Sequence, residues 1–235
     1  DWSSDVCSSD LILVLGILII GTIYREGGVG YTKYEVYAKT IYNKREFKNN
    51  QVTFLGDNIV DKCNLNALFN DANIVNEGKA WDTTIDILNR LDDVIKIKPK
   101  TLFLHIGIND LKQTKGQISK INIDKSMQNY SDIIKIIKTK LPNTKIYIES
   151  ILPVDNNIIA QKYKSDKLYN FYISNDYIKV FNTNLKIIAL ENNVTYINHS
   201  TFNPTTETVD GIQPNIKGYF ILKNDLKGYI KKLKK

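Results

Sequence analysis

A chain of 235 residues with 43% hydrophobic and 24% charged side chains has an ordinary globular composition, large enough to bury the core of one α/β domain. Its formal charge of +7 comes from lysines scattered among Asn and Ile rather than gathered in a stripe. A solvated surface is therefore expected, and a nucleic-acid partner is not.

The opening "DWSSDVCSSDL" resembles the in-frame translation of a common sequencing-adapter strand, with Leu11 straddling the join, so residues 1–10 are set aside as an assembly artefact. Without them Cys7 is lost and Cys63 has no intramolecular disulfide partner. The following "LILVLGILIIGTIY", Leu11–Tyr24, is apolar but shorter than the roughly 20 residues that span a bilayer. No small-x-small cleavage signal follows in "REGGVGYTK", so an uncleaved N-terminal anchor is expected, with a cleaved signal or a soluble core helix as alternatives. Residues 25–50 read as a glycine-rich linker and a short helix carrying Tyr34, Tyr37, Ala38 and Ile41 at helical spacing. The compact domain is expected over residues 51–235.

From Gln51 onward, short apolar runs alternate with amphipathic segments. "QVTFL", "NIVN", "TLFLHI", "KIYIESIL" and "VTYI" read as buried strands, being rich in β-branched and aromatic residues and bounded by turn signals. Between them, Ile85, Leu88, Leu91 and Ile95 make a helical stripe with Asp82 as its N-cap. Met127, Tyr130, Ile134, Ile137 and Leu141 make a second stripe, and Tyr177, Phe181, Leu185 and Ile188 a third. The tail from Ile216 closes as a helix with a lysine-rich end, favourable against the helix dipole. Such alternation predicts a parallel sheet covered on both faces, a three-layer α/β/α sandwich.

In open parallel sheets ligands bind beyond the carboxyl ends of the strands. The segments there are "GDN", "EGKAWDTT", "GIND" and "VDGIQPN", and all four could face one crevice. In these blocks, from about Gln51 to Tyr219, the chain resembles the SGNH hydrolases, also called the GDSL lipase or acylhydrolase family. The resemblance implies a flavodoxin-like fold with a five-stranded parallel sheet. In that family a serine of a G-D-S block attacks an ester, and a D-x-x-H block supplies acid and base. The serine N–H, a glycine N–H and the asparagine side chain of a G-x-N-D block hold the oxyanion.

Residue by residue, the chemistry departs from this pattern. The nucleophile's position is taken by Asn58, the oxyanion glycine's by Trp81 and the catalytic histidine's by Gln213. Asn109 and Asp210 match. An amide forms no acyl-enzyme and exchanges no proton near neutral pH. Losing a nucleophile or its base costs on the order of 10⁴- to 10⁶-fold in turnover. The indole of Trp81 is expected to fill part of the acyl pocket while its backbone N–H survives, and Gln213 to hydrogen-bond Asp210.

The resulting expectation is a pseudoenzyme with a binding or scaffolding role. Asn58, Trp81, Asn109 and Gln213 are its candidate ligand-binding residues for a glycan or an acylated small molecule. The alternatives are an active esterase, such as a carbohydrate O-deacetylase with an unrecognised nucleophile, and a purely structural interaction module in which Trp81 fills the crevice. No metal site is expected, because no His, Cys, Asp and Glu cluster has metal-ligand spacing, and no cofactor is expected either. His105 reads as a buried histidine satisfied by a backbone carbonyl, His199 as a loop histidine, Ser200 as a turn residue and Asp57 as structural. The anchor would hold the domain on the extracytoplasmic face of a bacterial membrane; cleavage would make it secreted.

Overall fold

The computed structural model describes residues 51–71, 74–114, 123–164 and 171–231. The readings of residues 1–10, of the Leu11–Tyr24 anchor and of the 25–50 linker and helix lie outside the described residues. Among the described residues, no helix is long and apolar enough to cross a membrane.

The first strand, β1 (Val52–Gly56), leads through Asp57 into the short helix α1 (Asn58–Asp61) and then α2 (Leu65–Phe69). After β2 (Ile74–Gly78) come α3 (Thr84–Asn89), α4 (Leu91–Ile97) and β3 (Thr101–His105). A 3₁₀ turn, Asn109–Leu111, precedes β4 (Lys112–Thr114) and the long helix α5 (Ile123–Lys140). Next are β5 (Lys145–Glu149), α6 (Asn156–Lys162), β6 (Phe171–Ile173), α7 (Asn175–Glu191) and β7 (Thr195–Ile197). The short α8 (Pro204–Glu207) and the closing α9 (Ile216–Lys231) complete the order.

Five strands form one parallel sheet in the order β2-β1-β3-β5-β7. The α/β/α expectation is met, and with it the flavodoxin-like order. Successive side chains of each strand point to opposite faces, so each strand feeds two cores. Leu55, Leu102, Leu104 and Ile148 pack on one side with Ile87 and Val94, Tyr130 and Ile134 of α5, and Phe181 and Leu185 of α7. On the other side the register aligns Phe54 with Phe103 and Phe103 with Tyr147. Their rings stack at 4.7 and 4.8 Å, under Leu226 and Ile230 of α9. Aligned aromatic neighbours of this kind add to sheet stability beyond the area they bury.

Three details differ from the sequence reading. The first helical stripe is two helices, broken at Arg90, and its N-cap is Thr83, which forms a capping box with Asp86. Asp82 instead accepts from Arg90 Nε at 2.6 Å, because a buried carboxylate gains more from a guanidinium than from a backbone N–H. Ile85 and Tyr177 are exposed, the stripes being rotated so that Ile87, Val94 and Ile178 face inward. A small antiparallel pair, β4 with β6, lies outside the main sheet; strands of three residues give too short a pattern to read in sequence.

Candidate active site

Strand order reverses direction between β1 and β3, and a crevice opens there beyond the carboxyl ends of the strands. Asp57 follows β1 and caps α1, its Oδ1 accepting the Ile59 N–H at 3.0 Å. This is the structural role expected of it. Burial pushes its carboxyl up to about 6, in spite of the opposing charges of His105 and Lys112.

Asn58 follows, and its side-chain oxygen is the centre of the site. The Trp81 N–H donates to Asn58 Oδ1 at 2.9 Å, and Asn109 Nδ2 donates to the same oxygen at 3.2 Å. Asn109 Nδ2 also donates to the Asp82 carbonyl at 2.8 Å. These partners fix both amide orientations, since a backbone N–H needs an acceptor and the second hydrogen of Asn109 meets a carbonyl. Three of the strand-end blocks thus converge on one atom.

Trp81 adopts φ +73°, a left-handed backbone unfavourable for a bulky residue. That conformation turns its N–H inward and its side chain outward. The indole is 50% exposed. Lys112 Nζ lies 3.9 Å from the centre of the Trp81 ring and 4.9 Å from that of Phe171, within cation–π range of both. Burial pulls the Lys112 ammonium down to about 8, opposed by the charges of Asp57 and Asp210. Sequence reading passed over Lys112, although it follows the "GIND" block by only two residues.

The supports of the site are ionic and polar. Arg90 spans Asp82 Oδ2, the Glu77 carbonyl at 2.8 Å and the Gly56 carbonyl at 3.4 Å, so it ties the ends of β1 and β2 to the Trp81 turn. Asp110 accepts from the Thr84 N–H at 3.0 Å, from Thr84 Oγ1 at 2.6 Å and from Ser126 Oγ at 2.8 Å. Gly107, at φ +130°, brings backbone where a Cβ would stand 2.6 Å from Phe181.

The fourth block does not bond to this centre. Asp210 Oδ1 accepts the Ile212 and Gln213 N–H groups at 3.0 and 2.7 Å, and its Oδ2 accepts from Tyr163 Oη at 2.6 Å. Gln213 therefore reaches Asp210 through its backbone, and the side-chain contact expected from sequence is absent. Its Nε2 donates to the Tyr219 hydroxyl, which in turn donates to the Ile59 carbonyl at 2.8 Å.

Both histidines sit where the sequence placed them, one in a strand and one in a loop, but with carboxylate neighbours that the sequence did not reveal. His105, at the end of β3, is buried with Nδ1 3.7 Å from Glu149 Oε2, while its Nε2 has no partner among the described residues. His199 lies in the loop after β7, as expected, but is buried, its Nε2 2.9 Å from Glu149 Oε2 and its Nδ1 2.8 Å from Asp225 Oδ2. Burial disfavours its charge, but the Asp225 and Glu149 contacts outweigh this and raise it to about 9. His105, Glu149 and His199 each offer a ligand atom within 4.8 Å of the others, a grouping that chain spacing does not reveal. Ser200 lies in a turn, as expected, and Cys63 is buried and free.

The GDSL-like Lipase/Acylhydrolase family model matches residues 54–220. No curated protein matches the chain. Among solved structures, a protein of Streptococcus pneumonia provisionally described as a platelet activating factor is 25% identical, with a TM-score of 0.69 over 90% of this chain and 99% of that one. An acylhydrolase, also provisionally described, from Bacteroides fragilis is 20% identical, with a TM-score of 0.66 over 86% and 97%. The acetylxylan esterase Axe2 of Geobacillus stearothermophilus shares the fold at 18% identity, with a TM-score of 0.57 over 79% and 94%. A family model spanning most of the chain, a parallel sheet in the flavodoxin order and three strand-end blocks meeting at Asn58 agree, and the chain belongs to the GDSL-like lipase/acylhydrolase family.

Proposed function

We propose that this chain is a non-hydrolytic member of its family, a binding or scaffolding protein held at the membrane by its N-terminal segment. One observation carries the loss of hydrolysis: the Trp81 N–H and Asn109 Nδ2 both donate to Asn58 Oδ1. By the resemblance, those two donors would stabilise the oxygen of a reacting ester carbonyl, a contribution worth roughly 10²- to 10³-fold in turnover per donor. Here a carboxamide of the protein takes that place, from the position where a nucleophile would stand. The chain thus lacks the attacking group and fills the hole at once.

Recognition falls to what remains open. The half-exposed Trp81 ring beside Lys112 and the crevice amides suits a sugar face or an acylated glycan, in keeping with the acetylxylan esterases that share the fold. An active esterase would need a different nucleophile, and Lys112 is the amine at hand. Ester attack by an amine ends in a stable amide, so such a site would react once and stop.

The test compares p-nitrophenyl acetate hydrolysis by the parent with that of the triple variant Asn58→Ser, Trp81→Gly, Gln213→His. A silent parent and a variant turning over at least 10²-fold above it are expected, alongside heat of binding from the parent with an acetylated oligosaccharide panel. Steady turnover by the parent would overturn the proposal.

A further inference from the structure

The polar cluster beneath the crevice is built at the carboxyl ends of three neighbouring strands. His105 closes β3, Glu149 closes β5, and His199 lies just beyond β7. All three are buried, and Asp225 of α9 reaches in from the covering helix. Beside them is a cavity of about 30 Å³, lined by His105, Glu149, Cys63 and Tyr219 among apolar side chains. That volume accommodates a water molecule, which needs about 10 to 15 Å³ of such space.

The hydrogen-bond bookkeeping of this cluster leaves one position open to a cation. His199 Nδ1 lies 2.8 Å from Asp225 Oδ2, which orients the ring. The other ring nitrogen, Nε2, lies 2.9 Å from Glu149 Oε2. Two lone pairs do not face each other at that distance without a positive centre between them, either a proton or a metal ion. His105 Nδ1 approaches the same carboxylate oxygen at 3.7 Å, too long for a hydrogen bond yet well placed for a shared ligand. Glu149 Oε1 has no partner among the described residues.

We propose that His105, His199 and Glu149 form a zinc-binding site, with Asp225 orienting His199 from behind and a water in the adjoining cavity as the fourth ligand. Bonds of about 2.0 to 2.2 Å to a central ion place tetrahedral ligand atoms roughly 3.3 Å apart. The contacts of 2.9 and 3.7 Å, within a group spanning at most 4.8 Å, bracket that spacing. The carboxylate behind the histidine is the arrangement that raises ligand basicity in zinc proteins. Two imidazoles and a carboxylate favour zinc over magnesium or calcium. The site shares no residue with the ligand-binding reading of the crevice, which rests on Asn58, Trp81, Asn109 and Gln213.

The full untagged chain would be purified from zinc-supplemented medium and its metal content measured. One zinc per chain is expected after gel filtration, with proton release on binding to the stripped protein and a higher melting temperature for the zinc form. Cobalt substituted for zinc should give the intense visible bands of a tetrahedral site. His105→Gln, which removes a ligand whose outer nitrogen bonds nothing among the described residues, is expected to stay folded and to weaken zinc at least 100-fold. The chain has only two histidines, so no second histidine pair can mask that loss. Substoichiometric zinc, a weak octahedral cobalt spectrum, or unchanged affinity in the folded His105→Gln variant would overturn the site and leave a proton as the shared cation.

Discussion

Asp57 shows how a residue can be structurally correct and still costly. Its carboxyl is buried, one oxygen caps α1 through the Ile59 N–H, and the other has no partner among the described residues. The folded chain holds its pKa near 6 against an ordinary 3.8. Below about pH 4 the group is protonated in both folded and unfolded chains and costs nothing. Between pH 4 and 6 the folded chain binds more protons than the unfolded one, so stability falls as pH rises, by about 3 kcal/mol in all. Asp57→Asn keeps the cap's oxygen and abolishes this titration. Urea unfolding in the presence of a chelator should show the variant gaining on the parent by about 2 to 3 kcal/mol between pH 4 and 7. At this scale Asn58, Trp81 and Asn109 were legible from sequence, because strand ends in a parallel sheet announce where a site lies. The direction of the Gln213 side chain was not, since Tyr219 competes for its amide and only the fold brings them together.

At the scale of elements, the crevice depends on loops that no regular hydrogen-bond ladder holds. Arg90, at the break between α3 and α4, does that work with contacts to Asp82, Glu77 and Gly56. Arg90→Met keeps the aliphatic stem and leaves Asp82, a buried carboxylate, without its cation. A loss of about 3 kcal/mol in denaturant unfolding is expected. The Trp81 turn should loosen with it, and indole fluorescence should red-shift at denaturant concentrations below global unfolding. The helix break itself was hidden in sequence because Leu88, Leu91 and Ile95 continue a helical spacing across it. The β4–β6 pair was hidden because three-residue strands offer no period. The His105, Glu149, His199 and Asp225 cluster joins four distant segments, so no spacing motif exists. Its one sequence signal was a polar residue closing each of two apolar strands, His105 in "TLFLH" and Glu149 in "KIYIE". These sit one step beyond the paired residues Leu104 and Ile148.

For the whole molecule, the parallel order that makes the crevice also places Cys63 in the core under α9, with Phe54, Leu65 and Leu226. Burial pushes its thiol up to about 12, so neither exposure nor thiolate character favours reaction in the native state. In a Cys7→Ser background, labelling of Cys63 by a disulfide reagent should report opening of this core. The rate should follow global unfolding and rise steeply with denaturant; rapid labelling in native buffer would show that α9 opens separately.

The contact at Asn58 bears on how far the proposed non-hydrolytic chain would stand from catalysis. The Trp81 N–H and the Asn109 amide still point at a single oxygen, as they would toward a substrate. Under the standard genetic code, asparagine and serine codons differ by one nucleotide, as do tryptophan and glycine, and glutamine and histidine. Three point changes would therefore restore the family's residues at positions 58, 81 and 213, around donors that have kept their aim. On the non-hydrolytic reading proposed above, the site would be dormant in mutational distance rather than dismantled, and a selection for ester hydrolysis would be expected to recover it by single-base changes.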